Sequence, residues 1–442
     1  MIQVGQILFI LSILVILHEF GHYITAKMFK VRVEKFYLFM DAGFSLVKKK
    51  IGDTEWGIGW LPIGGYVKLA GMIDESMDTE QLKQEPQPWE FRSKPAWQRL
   101  IIMLGGIIVN ILLAWFLYTT VYLTYGQKYI STTVVQENGL MFGDAGLKAG
   151  FQNGDKIVAV DGKYQENFNR MTLDVLLGDN ITIERNGEQK DLVLSDENKK
   201  DILGLEGKGF LSPRLLNTQA DSIVPNLAAA KAGLTKGDKI IGVNNTTFSY
   251  FDELKTLLNQ NKNKTIELNI ERNNQPLTLN VAVDKVGTIG FYPKFSEMDN
   301  YKVINKLSFG EAVTAAVKES YQLIVYNVKQ FKLILSPKTE AYKQVKSPIG
   351  IARQLPDTWN WEFIWNFTAL FSIGLAFMNI LPIPGLDGGH ALFTIAEMIS
   401  GKKLSEKAME KVQTAGMIIL LTLMALTFGK DIIELIIDKF VK

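Results

Sequence analysis

The chain has 442 residues, a formal net charge of +2 and no cysteine. The small net charge gives no indication of nucleic-acid binding, and the lack of cysteine excludes disulfides and thiolate metal ligands. A metal site must therefore use His, Asp or Glu, and the chain contains only three histidines: His18, His22 and His390.

Four long apolar stretches predict transmembrane helices. Residues 1–17, 100–127, 363–386 and 412–429 contain no charged side chain. A membrane span requires about 20 apolar residues, and each stretch reaches or nearly reaches that length. The first stretch lacks a basic start and a small-residue cleavage site, so we expect it to remain as an anchor.

The end of the first span contains the sequence HEFGH. In a helix, His18 and His22 lie one turn apart on the same face, so both rings can bind one ion. Glu19 is angled to reach a water on that ion, as in the His-Glu-x-x-His pattern of two zinc ligands and a general base. Ionisable groups are costly inside a membrane, which favours a zinc site over an unoccupied polar cluster.

The segment after the first span is rich in Lys and Arg, as is the segment between the last two spans. This bias predicts that both face the cytoplasm and that the long polar middle lies outside. Residues 31–67 read as a β-hairpin with its turn at Gly52-Asp53. Its free edge either pairs with an extended substrate or only closes the cytoplasmic side.

The polar middle contains an internal repeat. AGFQNGDKIVAV (149–160) and AGLTKGDKIIGV (232–243) are identical at seven of twelve positions, with an offset of 83 residues. Each copy resembles a segment of the PDZ domain, and the offset suits two copies of one small domain. Peptide binding by sheet-edge addition and a role as β-rich spacers both stay open.

Residues 308–335 place apolar groups at helical spacing on one face. This pattern predicts an amphipathic helix. The helix lies at the outer membrane surface or packs under the repeated domains, and the sequence does not decide between these positions.

The third span ends in MNILPIPGLDGGH (378–390). Pro382 and Pro384 break the helix, and Asp387 is the only acidic residue there, so we expect it to be the third zinc ligand. His390 is a rival ligand for which a structural or supporting role is favoured. Asn379 either binds a substrate carbonyl or forms a hydrogen bond between helices.

Together, HEFGH, MNILPIPGLDGGH and the PDZ-like pair resemble the site-2 protease family of intramembrane zinc proteases. Further stretches agree and extend the resemblance over nearly the whole chain: LPIGGYVKLAGM (61–72), FRSKPAWQRLIIMLGGIIVN (91–110) and SPIGIA (347–352). One departure concerns Asn110 in the second span. The family usually has Gly-Pro before this asparagine, whereas Gly105-Gly106 precedes it here.

The resemblance implies a zinc metalloendopeptidase that cuts peptide bonds within transmembrane segments. Its substrates would be pre-trimmed single-span proteins, such as anti-sigma factors, and remnant signal peptides. The protein would lie in the bacterial inner membrane, with its active site towards the cytoplasm and the PDZ-like pair outside as a size filter. Two rivals stay open, a zinc transporter and a catalytically idle PDZ scaffold, although neither accounts for Glu19 beside the ligands.

The predicted fold is a polytopic α-helical membrane protein with four transmembrane helices, a membrane-associated β-hairpin region and two PDZ-like α+β domains. The predicted segments are the first span (1–27), the β region (28–98), the second span (99–127), the PDZ-like domains (128–205 and 206–290), a helical connector (291–359), the third span (360–390), a cytoplasmic loop (391–411) and the fourth span (412–438).

Overall fold

The computed structural model describes residues 2–72, 84–205, 209–216, 218–294, 301–403 and 405–440. The chain forms two compact units. The helical unit comprises Met1–Gly126, Lys306–Phe331 and Val345–Lys442, and the β unit comprises Gln127–Asn305 and Lys332–Gln344. The candidate site lies in the helical unit, and the internal repeat lies in the β unit.

The helices in chain order are α1 (Ile2–Met28), α2 (Ala96–Tyr125), α3 (Thr132–Val135), α4 (Asp144–Lys148), α5 (Phe168–Leu177), α6 (Asp196–Gly204), α7 (Ala228–Lys231), α8 (Phe251–Gln260), α9 (Phe309–Leu335), α10 (Pro348–Ala352), α11 (Trp361–Ile380), α12 (Asp387–Ser400) and α13 (Glu406–Phe440).

The strands are β1 (Val33–Ile51), β2 (Thr54–Leu69), β3 (Gln127–Ile130), β4 (Leu140–Phe142), β5 (Lys156–Val160), β6 (Asn180–Arg185), β7 (Glu188–Val193), β8 (Leu211–Pro213), β9 (Thr218–Ile223), β10 (Lys239–Val243), β11 (Thr246–Thr247), β12 (Thr265–Arg272), β13 (Gln275–Ala282), β14 (Phe291–Pro293) and β15 (Lys302–Asn305).

Among the residues that the structure describes, four helices of the helical unit are long and apolar enough to cross a membrane, which confirms the predicted number of spans. They are α1, α2, α11 and the part of α13 from Ala408 to Ile433. Each is apolar around most of its circumference, as expected for a helix whose surroundings are lipid or other helices.

The third span is shorter than predicted. Helix α11 ends at Ile380, and α12 begins at Asp387 and continues to Ser400, through half of the range predicted as a cytoplasmic loop. The break follows from Pro382 and Pro384, since proline has no backbone N–H to donate and clashes with a preceding helical turn. Gly401 then ends α12 in the left-handed conformation, with a φ of 68°.

The predicted hairpin is confirmed, with its turn at Gly52-Asp53 between the paired residues Ile51 and Thr54. Both strands are long and bent, so the start of β1 pairs with both halves of β2. Four segments therefore lie side by side in the order 45–51, 54–61, 33–40 and 64–69. The 64–69 segment is an edge, and it lies against α1, because a Cβ on Gly65 would stand 2.5 Å from Val15 Cγ1.

The predicted amphipathic helix exists as α9, but its first half has a partner that the sequence did not indicate. Ala312 and Ala316 are fully buried in a core formed with α2 and α11. Alanine permits this close approach because its side chain is small. The first half of α9 is therefore packed against the second and third spans.

The β unit contains two hydrophobic cores, one for each copy of the repeat. Each copy has a strand after the Gly-Asp turn, then a helix and a hairpin: β5, α5 and β6–β7 in the first, and β10, α8 and β12–β13 in the second. In the second copy these strands form a larger sheet in the order β13-β12-β10-β9-β14.

The range 291–359 is not wholly helical, which corrects the predicted connector. Strand β14 pairs with β9 of the second copy, and β15 pairs with β3 at the start of the β unit. Both are short strands whose partners are distant in sequence, and local periodicity carries little information about such pairing.

Candidate metal centre

Helix α1 carries the two histidines on its buried face. His18 and His22 are 7% and 6% exposed, and Gly21 lies between them on the same side. A Cβ on Gly21 would stand 2.3 Å from the carbonyl oxygen of Gly105, so α1 and α2 touch backbone to backbone. This contact requires glycine at Gly21.

Gly106 of α2 lies directly against the histidine pair. A Cβ on Gly106 would stand 2.6 Å from both His18 Cε1 and His22 Nε2. Any larger side chain would therefore occupy the space between the two rings. The departure from the Gly-Pro pattern thus falls at the point where α2 borders the site, and glycine leaves this space open.

Asp387 completes a cluster of three donor atoms. Its Oδ2 lies 3.2 Å from Nε2 of His18 and 3.2 Å from Nε2 of His22, and the two Nε2 atoms are 3.4 Å apart. A tetrahedral zinc ion with bonds of about 2.0–2.1 Å has ligand atoms about 3.3 Å apart. The three distances therefore match one face of a zinc coordination tetrahedron.

The loop after α11 places Asp387. Residues 381–386 turn back on the first turn of α12, where a Cβ on Gly388 would stand 2.3 Å from the carbonyl oxygen of Leu381. The Oδ2 atom of Asp387 is buried and receives no hydrogen bond from the described residues. An unpartnered carboxylate oxygen facing two imidazole nitrogens fits a bound cation, because burial without a partner is costly.

The outer nitrogens of both rings have partners that orient them. His22 Nδ1 lies 2.9 Å from the carbonyl oxygen of Ile102, an acceptor for its N–H, which leaves Nε2 free to bind a metal. His18 Nδ1 lies 3.1 Å from Nδ2 of Asn110, whose buried Oδ1 has no hydrogen-bond partner within the described ranges. A 180° flip of the Asn110 side-chain amide, which exchanges its oxygen and nitrogen, would let Oδ1 accept the Nδ1–H of His18. Asn110 therefore suits the same role of orienting a histidine ring.

Two further predicted residues lie beside the cluster. The carboxylate of Glu19 lies near the backbone of Val67 in the 64–69 edge segment. Asn379, near the end of α11, has its Nδ2 3.0 Å from His18 Nε2. The site therefore combines two possible ligands from α1, one from α12, a carboxylate and an amide.

Comparison with known proteins identifies the family. Residues 6–423 match the model of Peptidase family M50. The chain belongs to peptidase family M50. It is 30% identical to the regulator of sigma-E protease RseP of Escherichia coli, over 95% of this chain and 96% of that protein. It is 29% identical to a putative zinc metalloprotease of Vibrio cholerae, over 96% and 97% of the two chains.

The resemblance to the site-2 protease family is thereby confirmed, and the chain is an RseP-like intramembrane metalloprotease. The four apolar helices and the relationship to RseP indicate an inner-membrane protein. The M50 protease has a possible metal-binding group in His18, His22 and Asp387, whose ligand atoms all lie within 4.8 Å of one another.

His390 is not part of that group. Its Nε2 lies against the side-chain amide of Gln413 in α13. One turn of α12 separates it from Asp387, and the ring is directed to the fourth span. This position agrees with the structural role favoured over that of a ligand.

Sequence reasoning missed two parts of the site. It gave no role to Gly106, although the Gly105-Gly106 pair had been noted as a departure from the family pattern. It also gave no role to Ile102, whose contribution is a backbone carbonyl. The type of side chain at a position does not indicate whether its backbone carbonyl will accept a hydrogen bond. The role of Ile102 therefore becomes visible only from the packing of α2 against α1.

Proposed function

We propose that His18, His22 and Asp387 hold the catalytic zinc of this M50 protease and that Glu19 is its general base. The observation that carries the proposal is the triangle of donor atoms at 3.2, 3.2 and 3.4 Å, in which the Oδ2 of Asp387 accepts no hydrogen bond from the part of the chain that the structure describes. Zinc, when bound, lowers the pKa of a water in its open position and polarises the substrate carbonyl.

Glu19 supplies proton transfer. It follows His18 directly in α1, which keeps its carboxylate beside the ligands, and the backbone of Val67 lies nearby. The carboxylate takes a proton from the attacking water and delivers it to the nitrogen of the leaving amine. One residue thus acts first as base and then as acid.

The 64–69 edge segment is the proposed docking strand for the unwound substrate. A peptide bond in a transmembrane helix is already hydrogen-bonded, so a substrate that unwinds needs new backbone partners. This segment lies against α1 at Gly65 and reaches Glu19 at Val67. A substrate added to its free edge would therefore run past the proposed base.

Asn379 is the proposed substrate-binding amide. Its Nδ2 lies 3.0 Å from His18 Nε2, within reach of a group bound at the ligand cluster. An amide donor there can bind the scissile carbonyl and stabilise the oxyanion that develops from it.

The proposed substrates are single-span membrane proteins that an earlier cut has shortened, such as anti-sigma factors, and remnant signal peptides. The name of the relative from Escherichia coli, a regulator of sigma-E protease, supports the first class. The two copies in the β unit are proposed to be PDZ-like domains on the periplasmic side that exclude substrates with a large outer domain.

The proposed orientation has a direct test by labelling. With a cysteine in place of Lys49, an impermeant thiol reagent should label the protein only after the inner membrane is opened. With a cysteine in place of Lys200, labelling should occur in cells that have lost only their outer membrane. Both positions are exposed in the structure, so accessibility depends on the side of the membrane. The reverse pattern would contradict the orientation and the substrate class.

Replacement of Glu19 tests the mechanism and separates it from a zinc transporter and a scaffold. Glu19→Gln keeps the size and polarity of the side chain but removes its basic carboxylate. We expect cleavage of a single-span substrate to fall by about 100- to 10,000-fold while the zinc content stays equal to that of the unchanged protein. Uncut substrate should co-purify with the variant.

Glu362→Gln is the matched control, since it makes the same chemical change in the first turn of α11. It should leave cleavage unchanged. Cleavage by Glu19→Gln at the rate of the unchanged protein would remove Glu19 from the mechanism. Zinc flux across vesicles that depends on Glu19, without proteolysis, would favour the transporter.

A further inference from the structure

Asp387 is the first residue of α12, so its position depends on how that helix is held. The helix runs from Asp387 to Ser400 and packs mainly against α2. Its buried residues Gly388, Ala391 and Thr394 follow one another at three-residue spacing. Glu397 continues this spacing by one more step and lies about 15 Å along the helix from Asp387.

Glu397 is joined to α2 by an ion pair. Its Oε1 accepts a hydrogen bond from Nη2 of Arg99 at 2.5 Å, and the side chains of Arg99 and Glu397 are only 9% and 19% exposed. The Nε of Arg99 also donates to the carbonyl oxygen of Lys94 at 3.0 Å, which fixes the guanidinium from a second side. Charge-assisted hydrogen bonds between buried groups are strong and directional, unlike ion pairs in water.

Arg99 and Gly106 lie on the same helix, about 10 Å apart along its axis. Gly106 borders the rings of His18 and His22, and Arg99 holds the helix that begins with Asp387. Helix α2 is therefore the common frame for the two sources of ligands. A small shift or tilt of α12 on the surface of α2 would move Asp387 away from the histidines, and the ion pair opposes this movement from the far end of α12.

We propose that Arg99 and Glu397 are positioning residues that hold α12 on α2 and thereby keep Asp387 within bonding distance of the metal held by His18 and His22. This inference rests on the proposed zinc site. Glu397 lies about 15 Å along α12 from Asp387, so the effect of the pair passes through the α12 helix, and its loss should weaken metal retention before it affects the chemical step.

The test measures how fast the full-length protein in detergent releases zinc to an excess of a chromogenic chelator. Removal of groups that orient metal ligands commonly costs 10- to 100-fold in affinity. We expect Arg99→Gln and Glu397→Gln each to release zinc about 10-fold faster than the unchanged protein. The double variant should be no faster than either single variant, because both changes break the same pair.

The matched control is Arg92→Gln. Arg92 forms a comparably buried pair with Glu90, also at 2.5 Å, shortly before the start of α2, and its Nη2 donates to the carbonyl oxygen of Gln84, so both of these partners lie outside α12. It should release zinc at the rate of the unchanged protein. Added zinc should restore cleavage by Arg99→Gln, because ligands and base are intact, whereas it should not restore cleavage by His22→Ala.

Release rates for both Arg99→Gln and Glu397→Gln within twofold of the unchanged protein would overturn the positioning role, as would fully additive effects in the double variant. If Arg99→Gln does not fold, Glu397→Gln decides the question, because it leaves Arg99 bonded to Lys94. Failure of the proposed function is distinguishable: the unchanged protein would then hold no stoichiometric zinc, and His22→Ala would not alter its metal content.

Discussion

Carboxylates with buried oxygen atoms occur in both units, but their surroundings differ: the side chains of Asp155 and Asp238 are 1% exposed, and that of Asp387 is 19% exposed with its Oδ2 buried. In the β unit, Asp155 accepts hydrogen bonds from Nε and Nη2 of Arg185 at 2.8 and 2.7 Å. Asp238 of the second copy accepts the same pair from Arg272 at 2.8 and 2.7 Å. In the helical unit, Asp387 has no arginine partner among the described residues, and its Oδ2 faces two imidazole nitrogens.

The comparison shows how a structural carboxylate differs from a possible ligand. Arg185 and Arg272 also each donate to a backbone carbonyl, that of Gly150 in the first copy and that of Gly233 in the second. Each arginine therefore ties the end of its own strand, β6 or β12, to the turn that precedes β5 or β10. The negative charge is neutralised by a resident side chain. At Asp387 the charge is not neutralised in this way, and the neighbouring nitrogens are themselves metal donors. The residues available for pairing, and not burial alone, separate the two cases.

The largest expected effect comes from removing a ligand. His22→Ala should abolish both stoichiometric zinc and cleavage, since two remaining ligands hold a catalytic zinc poorly. Metal analysis of the purified protein and a single-span cleavage assay measure the two effects. Full zinc and full activity in this variant would show that the cluster of His18, His22 and Asp387 is not the metal site. The difference between Asp387 and the arginine-paired aspartates of the β unit would then not reflect metal binding.

Removing an arginine of the β unit should have a smaller effect of another kind. Arg185→Gln leaves the carboxylate of Asp155 buried without its partner, at a cost of about 3 kcal/mol in the free energy of unfolding. All eight tryptophans lie in the helical unit, so their fluorescence does not report on the β unit directly. Amide hydrogen exchange of β5, β6 and β7 is the appropriate measurement.

Zinc content should not change in Arg185→Gln. A loss of zinc comparable to that in His22→Ala would contradict the view that the Asp155–Arg185 pair is purely structural.

The second copy should be less sensitive to the same change. The side chain of Arg272 is 34% exposed, against 16% for Arg185. In the Arg272→Gln variant, water can therefore replace part of the hydrogen bonding that Arg272 gives to Asp238. We expect Arg272→Gln to accelerate exchange in β12 and β13 less than Arg185→Gln does in β6 and β7. Equal or greater acceleration in the second copy would show that the exposed fraction of the arginine side chain does not determine how strongly each pair stabilises its copy.

The smallest expected effect is a pH dependence of the second copy. Burial alone raises the pKa of Asp238, but hydrogen bonds from Arg272 and Thr235 outweigh it and hold this pKa below the ordinary value of 3.8. The carboxylate therefore adds stability that is fully present above the unfolded-state pKa and is lost as the pH falls through the folded-state pKa. The protection of the β12 amides, taken relative to the intrinsic exchange rate at each pH, should therefore fall below about pH 4.

Arg272→Gln is the control for this dependence, because it removes the largest hydrogen-bond contribution that lowers the pKa of Asp238. The acid-dependent part of the exchange should shrink in the variant. An unchanged pH profile would assign the dependence to other carboxylates.

Much of the helical unit could be predicted from local sequence. The four spans follow from charge-free stretches, the hairpin follows from its Gly52-Asp53 turn, and the break of the third span follows from Pro382 and Pro384. His18 and His22 were singled out because their four-residue spacing places them on one helical face, and Glu19 because it follows His18 directly in the His-Glu-x-x-His pattern. These features depend on residues that are close in sequence, where patterns carry most information.

Other features were not predictable in this way. The extent of α12, the position of α9 against α2 and α11, and the strands β14 and β15 depend on partners far along the chain. Glu397 pairs with a residue 298 positions away, and nothing in its own neighbourhood distinguishes it from a solvated glutamate. Periodicity indicates which face of an element is apolar, but it does not indicate what covers that face.

The sequence by itself determined the family, the number of spans and the types of residue that the site uses, because these are properties of composition, spacing and short motifs. Only the tertiary structure decided that Asp387 meets both histidines, that Gly106 leaves room between them and that Asn110 and Ile102 orient them. The physical reason is that a metal-binding geometry is a set of distances between separate helices, and those distances arise from side-chain volume and backbone approach at the helix contacts.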